Sequence, residues 1–97
     1  MYSKNTKFPF TIFLKGDVYT MLDSVKVGRA IQKVREDKKL SQEVVSGLAG
    51  IGRTHLSAIE RGERKPTLET FFKISDALNI PPSELMIKIE NELSGKC

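Results

Sequence analysis

The side chains with chemistry to offer gather in one short stretch, GIGRTHLSAIERGERKP, residues 50–66. A glycine and a short polar run lead into a helix whose exposed side chains are Arg, Thr, His, Ser and Arg, too polar for a core and too small-sided for a mere solvent shield. Donors and cations at that density suit contact with a polyanion better than they suit bond-making. His55 is the only histidine and has no Cys/His cluster near it in sequence, so a metal site or a catalytic base is not expected there. There is no nucleophile elbow, phosphate-cradling glycine loop, metal cluster or paired-carboxylate signature. The expectation is therefore a non-enzymatic protein with no catalytic residues, no metal and no cofactor.

The charge distribution points to the same stretch. The net charge is +4, yet residues 26–65 alone carry ten basic side chains against five acidic ones, while residues 66–97 carry three lysines against five acidic residues. The positive field belongs to the middle of the chain, and its acidic end would not join a polyanion surface. An ordinary solvated face can also be basic, so spacing must decide. Ninety-seven residues, 39% apolar and 29% charged, describe one soluble folded domain with a modest core. A lone cysteine, Cys97, excludes an intramolecular disulfide and fits a reducing cytoplasm.

The elements that position this stretch are helices. Val27, Ala30, Ile31 and Val34 fall at i, i+3, i+4 and i+7, the apolar stripe of a helix that starts near Ser24 and stops around Lys39. Ser41 is a natural N-cap for a second helix carrying Val44, Val45, Leu48 and Ala49, which ends at Gly50. A third begins near Arg53, buries Leu56 and Ile59, and stops at Gly62. Pro66-Thr67 opens a fourth with Leu68, Phe71, Phe72, Ser75 and Leu78 on one face. Pro82 takes the first position of a fifth, lined by Leu85, Met86, Ile89 and Leu93. The spacing predicts an all-α domain of five helices over residues 24–94.

Within it, a short helix, a glycine turn and a polar-faced helix describe a helix-turn-helix, whose second helix lies in the DNA major groove. Val45, Ala49, Ile51, Leu56 and Ile59 supply its apolar contacts, Ser46 is small at the expected point of closest approach, and Gly50 makes the turn.

At these residues the chain resembles the Cro/repressor-type (Xre) helix-turn-helix family, through "LSQEVV", "GIGRTHLSAIERG", "RKPTLETFFKISDALNI" and "PPSELM", over about residues 24–89. The phrase "RTHLSAIERGERKPTL" also resembles the controller proteins of restriction-modification systems, with His55 in place of their usual aromatic. The family usually has Ala at position 46 and Ser at position 52. Gly52 removes a side-chain cap from the recognition helix, a loss of a few tenths of a kcal/mol.

The resemblance implies roles. Arg53 and Thr54 would read base edges, an Arg pairing with guanine O6 and N7 and a Thr methyl packing on thymine, with Ser57 and Ala58 one turn later on or beside the same face. Gln42, at the start of helix two, would bond a phosphate, and His55, Arg61, Arg64 and Lys65 would flank or clamp the backbone. Arg35 and Glu60 would form a structural ion pair. The implied partner is double-stranded DNA carrying a palindromic operator, read by a homodimer without a small-molecule ligand or a membrane. Residues 82–94 are the expected dimerisation helix, through Leu85, Met86, Ile89 and Leu93. An antitoxin-type protein that binds both DNA and a protein partner is the alternative.

Residues 1–23 form an N-terminal arm. Its run FPFTIFL, residues 8–14, is far short of the ~20 apolar residues of a membrane span and lacks a secretory cleavage site; it suits a short extended strand. Two readings of the arm stand side by side: its aromatics pack on the domain or on a symmetry mate, with Phe8, Phe10, Ile12 or Phe13 available to join the dimer seam, or Met21 is the functional start.

Overall fold

The computed structural model describes residues 22–95, which form five helices and no strand: α1 (Ser24–Asp37), α2 (Gln42–Ala49), α3 (Arg53–Glu60), α4 (Leu68–Ala77) and α5 (Pro82–Leu93). The strand expected in the arm lies outside the described residues. Helix starts follow local chemistry. The side chains of Asp23, Ser41 and Thr67 accept from the backbone N–H groups of Val25, Val44 and Thr70 and so satisfy donors that have no partner in a first turn. Gly52 caps α3 with no side-chain bond, and Pro82 opens α5 without a donor to lose.

Helix ends share one geometry. Lys39, Gly50, Gly62 and Asn79 all have left-handed backbone, with φ of 60°, 71°, 82° and 61°. In each case the next residue's N–H reaches back five positions: Leu40 to Arg35, Ile51 to Ser46, Glu63 to Ala58 and Ile80 to Ser75, at 2.9–3.1 Å. This is the Schellman arrangement, which normally places an apolar residue after the left-handed one to close the helix end onto the core. Leu40, Ile51 and Ile80 do so. After α3 the corresponding residue is Glu63. Helix α1 stops around Lys39 as expected: its last helical residue is Asp37, and Lys39 makes the left-handed turn that closes it.

The core lies where α1 packs on α5 and α3, and α2 on α4 and α3. Ile31, Val45, Leu56, Ile59, Ile74 and Leu85 are fully buried within it. Two expectations about helix faces are corrected. On α4 the buried set is Phe71, Ile74, Ser75 and Leu78, whereas Leu68 is 71% and Phe72 51% exposed. The buried stripe is therefore the i, i+3, i+4, i+7 set starting at Phe71, and Leu68 and Phe72 flank it. On α5, Leu85, Ile89 and Leu93 recur every four residues and are consumed in the chain's own core, so they do not form an open dimer seam; of the four residues expected there only Met86 is exposed.

Two glycines set how closely α1 approaches the end of α3. A Cβ on Gly28 would stand 2.2 Å from the Ile59 carbonyl oxygen and 2.6 Å from that of Glu60, and one on Gly62 would stand 2.7 Å from Val25 Cα. These are backbone atoms and cannot swing aside. Gly28→Ala is expected to destabilise by ~1–3 kcal/mol through overpacking, lowering Tm by on the order of 10 °C. Gly47, inside α2 with open space around it, gives the opposite sign: Gly47→Ala should raise stability by roughly 0.5–1 kcal/mol. Paired thermal melts check both, and equal melting of Gly28→Ala and the parent chain would refute the close approach.

Candidate nucleic-acid interface

Helix α3 has only eight residues, and its two sides differ in kind. Leu56, Ile59 and Glu60 face inward; Arg53 and Thr54 are exposed, and His55, Ser57 and Ala58 are half-buried at the rim. A period of 3.6 places Arg53, Thr54, Ser57, Ala58 and Arg61 along the side opposite the buried set. The four residues expected to read bases thus share one outward surface. Ser46, 3% exposed, lies in α2 just before the turn that delivers α3, its hydroxyl donating to the Glu43 carbonyl at 3.2 Å.

The placement of α3 rests on one carboxylate. Arg35 meets Glu60 with two parallel bonds, Nε to Oε2 at 2.7 Å and Nη2 to Oε1 at 2.9 Å. The third guanidinium nitrogen, Nη1, donates to the Leu40 carbonyl at 2.8 Å, which closes the end of α1. Gln42 Nε2 donates to Glu60 Oε1 at 2.9 Å and adds the first residue of α2 to the same centre. Arg35 and Glu60 are both buried, and among the described residues no buried side-chain nitrogen or oxygen lacks a partner. Hydrogen bonding to Glu60 holds the Arg35 guanidinium above its ordinary pKa against the opposing effect of burial. A cation here also suits the carbonyl-rich end of α3, where an unpaired Glu60 carboxylate would be disfavoured by the helix dipole.

Gln42 therefore has a tie that its residue type does not disclose. One N–H of its amide is committed to Glu60, which leaves the second N–H, together with the backbone N–H groups of Gln42 and Glu43 at the start of α2, for an external anion. Around α3 the cations divide into two groups. Arg53, Arg64 and Lys65 are exposed and have no carboxylate within 4.0 Å among the described residues. Arg61 is engaged: Nε and Nη2 donate to the two oxygens of Glu63, each at 2.9 Å, and Nη1 donates to Ser57 Oγ. The pairing raises the Arg61 pKa and holds the Glu63 carboxyl below the usual carboxylate range. Residue types alone did not single out Glu63; its signal is an acidic residue at a helix-closing position where α1, α2 and α4 carry Leu or Ile.

Arg29, Gln32, Gln42, Arg61 and Glu63 line an open polar concavity of about 440 Å³ beside α3. No group of three or more His, Cys, Asp or Glu able to hold a metal occurs among the described residues, and no described helix is long and apolar enough to cross a membrane.

Comparison with known proteins bears on this geometry. A family model described as Helix-turn-helix matches residues 31–85. An HTH-type transcriptional regulator of Sinorhizobium fredii is 37% identical over 60 residues, spanning 62% of this chain and 78% of that protein. The crystal structure of the restriction-modification controller protein C.AhdI from Aeromonas hydrophila is similar with a TM-score of 0.63 at 40% identity, over 65% of this chain and 96% of that one. The controller protein C.Esp1396I, solved as a tetramer in complex with its natural 35 base-pair operator, is similar with a TM-score of 0.67 at 28% identity, over 71% and 91% of the two chains.

Removing one partner of the buried pair leaves an uncompensated charge. Glu60→Gln is expected to cost ~3 kcal/mol or more, with Tm falling by on the order of 10 °C. An unchanged melting temperature would show that the pair does not hold α3 in place.

Proposed function

Because the chain belongs to the Cro/repressor-type helix-turn-helix family, we propose that it is a sequence-specific transcriptional regulator that binds a palindromic operator as a homodimer through α3. The observation that carries this reading is the outward surface of α3. Arg53 and Thr54 stand exposed at its start, with Ser57 and Ala58 one turn on, and the helix beneath them is fixed to α1 and α2 by Glu60. Preorganised side chains on a rigid helix supply base readout. Arg53 takes a guanine through O6 and N7, Thr54 offers a methyl and a hydroxyl, and Ala58 reads shape or a methyl group. Gln42, His55, Arg64 and Lys65 serve the phosphates on either side and set register along the duplex. Arg61 lies on the same outward side, but its guanidinium is already bonded to Glu63 and Ser57.

One helix-turn-helix touches only a few base pairs, and dimerisation is the remedy; the operator-bound tetramer of the similar controller protein supports oligomeric binding. Since Leu85, Ile89 and Leu93 belong to the core, the dimer face is assigned to Met86 with Leu22 and Leu68, which are 41%, 47% and 71% exposed and border an apolar groove of about 220 Å³. Apolar side chains grouped in this way suit burial against a second copy. A dimer that forms by mass action makes operator occupancy follow the protein's own concentration, with no effector required. The likeness to restriction-modification controllers supports a regulator of that kind.

Two substitutions separate the proposed roles. Arg53→Ala should lose ~1–3 kcal/mol of binding and relax preference at a single base, whereas Arg64→Ala should weaken all sequences alike and flatten the salt slope by about one. Binding titrations against single-base operator variants read both. Uniform weakening by Arg53→Ala would remove it from base reading.

A further inference from the structure

All five helices close with a left-handed residue, and of the four whose following residue is described, three follow it with Leu40, Ile51 or Ile80 packed on the core. The helix that faces outward is the exception. Glu63 holds the closing position after α3, its N–H bonded to the Ala58 carbonyl at 2.9 Å, so the backbone that bears its carboxylate is fixed relative to α3. From there both carboxylate oxygens engage Arg61, whose remaining nitrogen, Nη1, donates to Ser57 on the outer side of the helix. The pair has little to do with folding: the two side chains are 53% and 59% exposed, and ion pairs so exposed contribute little to stability. It also lines the same concavity as Gln42, at the start of α2, where a backbone phosphate would approach.

We propose that Glu63 is a positioning residue for DNA discrimination: it holds the Arg61 guanidinium along the outer face of α3 against Ser57, within the base-facing set, and away from the phosphate backbone. The inference rests on the reading of α3 as the DNA-reading helix. The carboxylate stands where a phosphate oxygen would otherwise meet Arg61. On a duplex without the right bases, all affinity comes from phosphates, and an Arg61 held by Glu63 adds nothing to it. On the operator, Arg61 stays over Ser57 as α3 enters the groove, and the pair needs no rearrangement. Glu63 is ionised at neutral pH, as the pair requires, and its bonds to Arg61 lower its carboxyl further.

The test compares the parent chain, Glu63→Gln, Arg61→Gln and the double variant, by fluorescence anisotropy across a salt titration. The probes are the duplex the parent binds most tightly and a scrambled duplex of equal length. Glu63→Gln should bind the scrambled duplex several-fold tighter, steepen its log–log salt slope by about 0.9, equivalent to one added phosphate contact, and lower the ratio of specific to non-specific affinity by a similar factor. In the Arg61→Gln background the same change should have no effect, because the coupling runs through Arg61. Glu63→Ala, read in the same way, removes any residual pairing through the amide oxygen. Unchanged slope and ratio in both Glu63 variants, or a gain that persists without Arg61 and so reflects net charge alone, would overturn the inference. A parent chain with no salt-dependent duplex affinity would instead overturn the DNA reading beneath it, whereas discrimination that is intact in the parent and equal in the variants would overturn the inference alone.

Discussion

The Arg35–Glu60 pair is the constraint on which the rest of the molecule turns. Three elements end at it: the last turn of α1 through Arg35 and the Leu40 carbonyl, the first residue of α2 through Gln42, and the last residue of α3 through Glu60. Burying two charges is unfavourable in itself, and well-packed apolar residues often match such a pair for stability. What the pair supplies here is geometry. A bidentate guanidinium–carboxylate contact tolerates little sliding or rotation, and the glycine contacts of Gly28 and Gly62 bring α1 hard against the same end of α3. A short helix with a polar outer face has few apolar contacts to orient it, so a directional bond at its end performs that task.

Much of this arrangement was legible in the residues. Ser41, Thr67 and Pro82 announced helix starts, and Gly50 and Gly62 announced ends, because caps and left-handed glycines are local chemistry. Lys39 and Asn79 make the same turn without a glycine, and the sequence offers no comparable mark for them. The faces of α4 and α5 were harder to read for a different reason. Leu68, Phe72 and Met86 are as apolar as their buried neighbours, and only the placement of adjacent helices decides which of them is covered. Gly28 looked like an unremarked small residue in an otherwise periodic segment. Its meaning appears only when the carbonyls of Ile59 and Glu60 arrive beside it.

At the interface the outward placement of Arg53, Thr54, Ser57 and Ala58 follows from helical periodicity once Leu56 and Ile59 are fixed as core. The polar ties were not legible in the same way. Gln42 and Glu63 are ordinary surface types, and their partners lie across turns whose geometry a pattern of apolar residues does not encode. The resulting division is physical. A buried, directional pair fixes the scaffold, whereas the exposed pair beside it orients a single guanidinium on the outer side of α3.

The central claim is that this scaffold presents α3 to specific DNA as one half of a twofold reader. Selection of bound duplexes from a random-sequence pool at near-physiological salt, followed by sequencing, tests it most directly. The account predicts enrichment of a palindrome whose half-sites lie about one helical turn, ~34 Å, apart. A pool that stays unenriched while the folded chain still binds duplex weakly, with steep salt dependence, would contradict it, since phosphate attraction alone would then explain the contact.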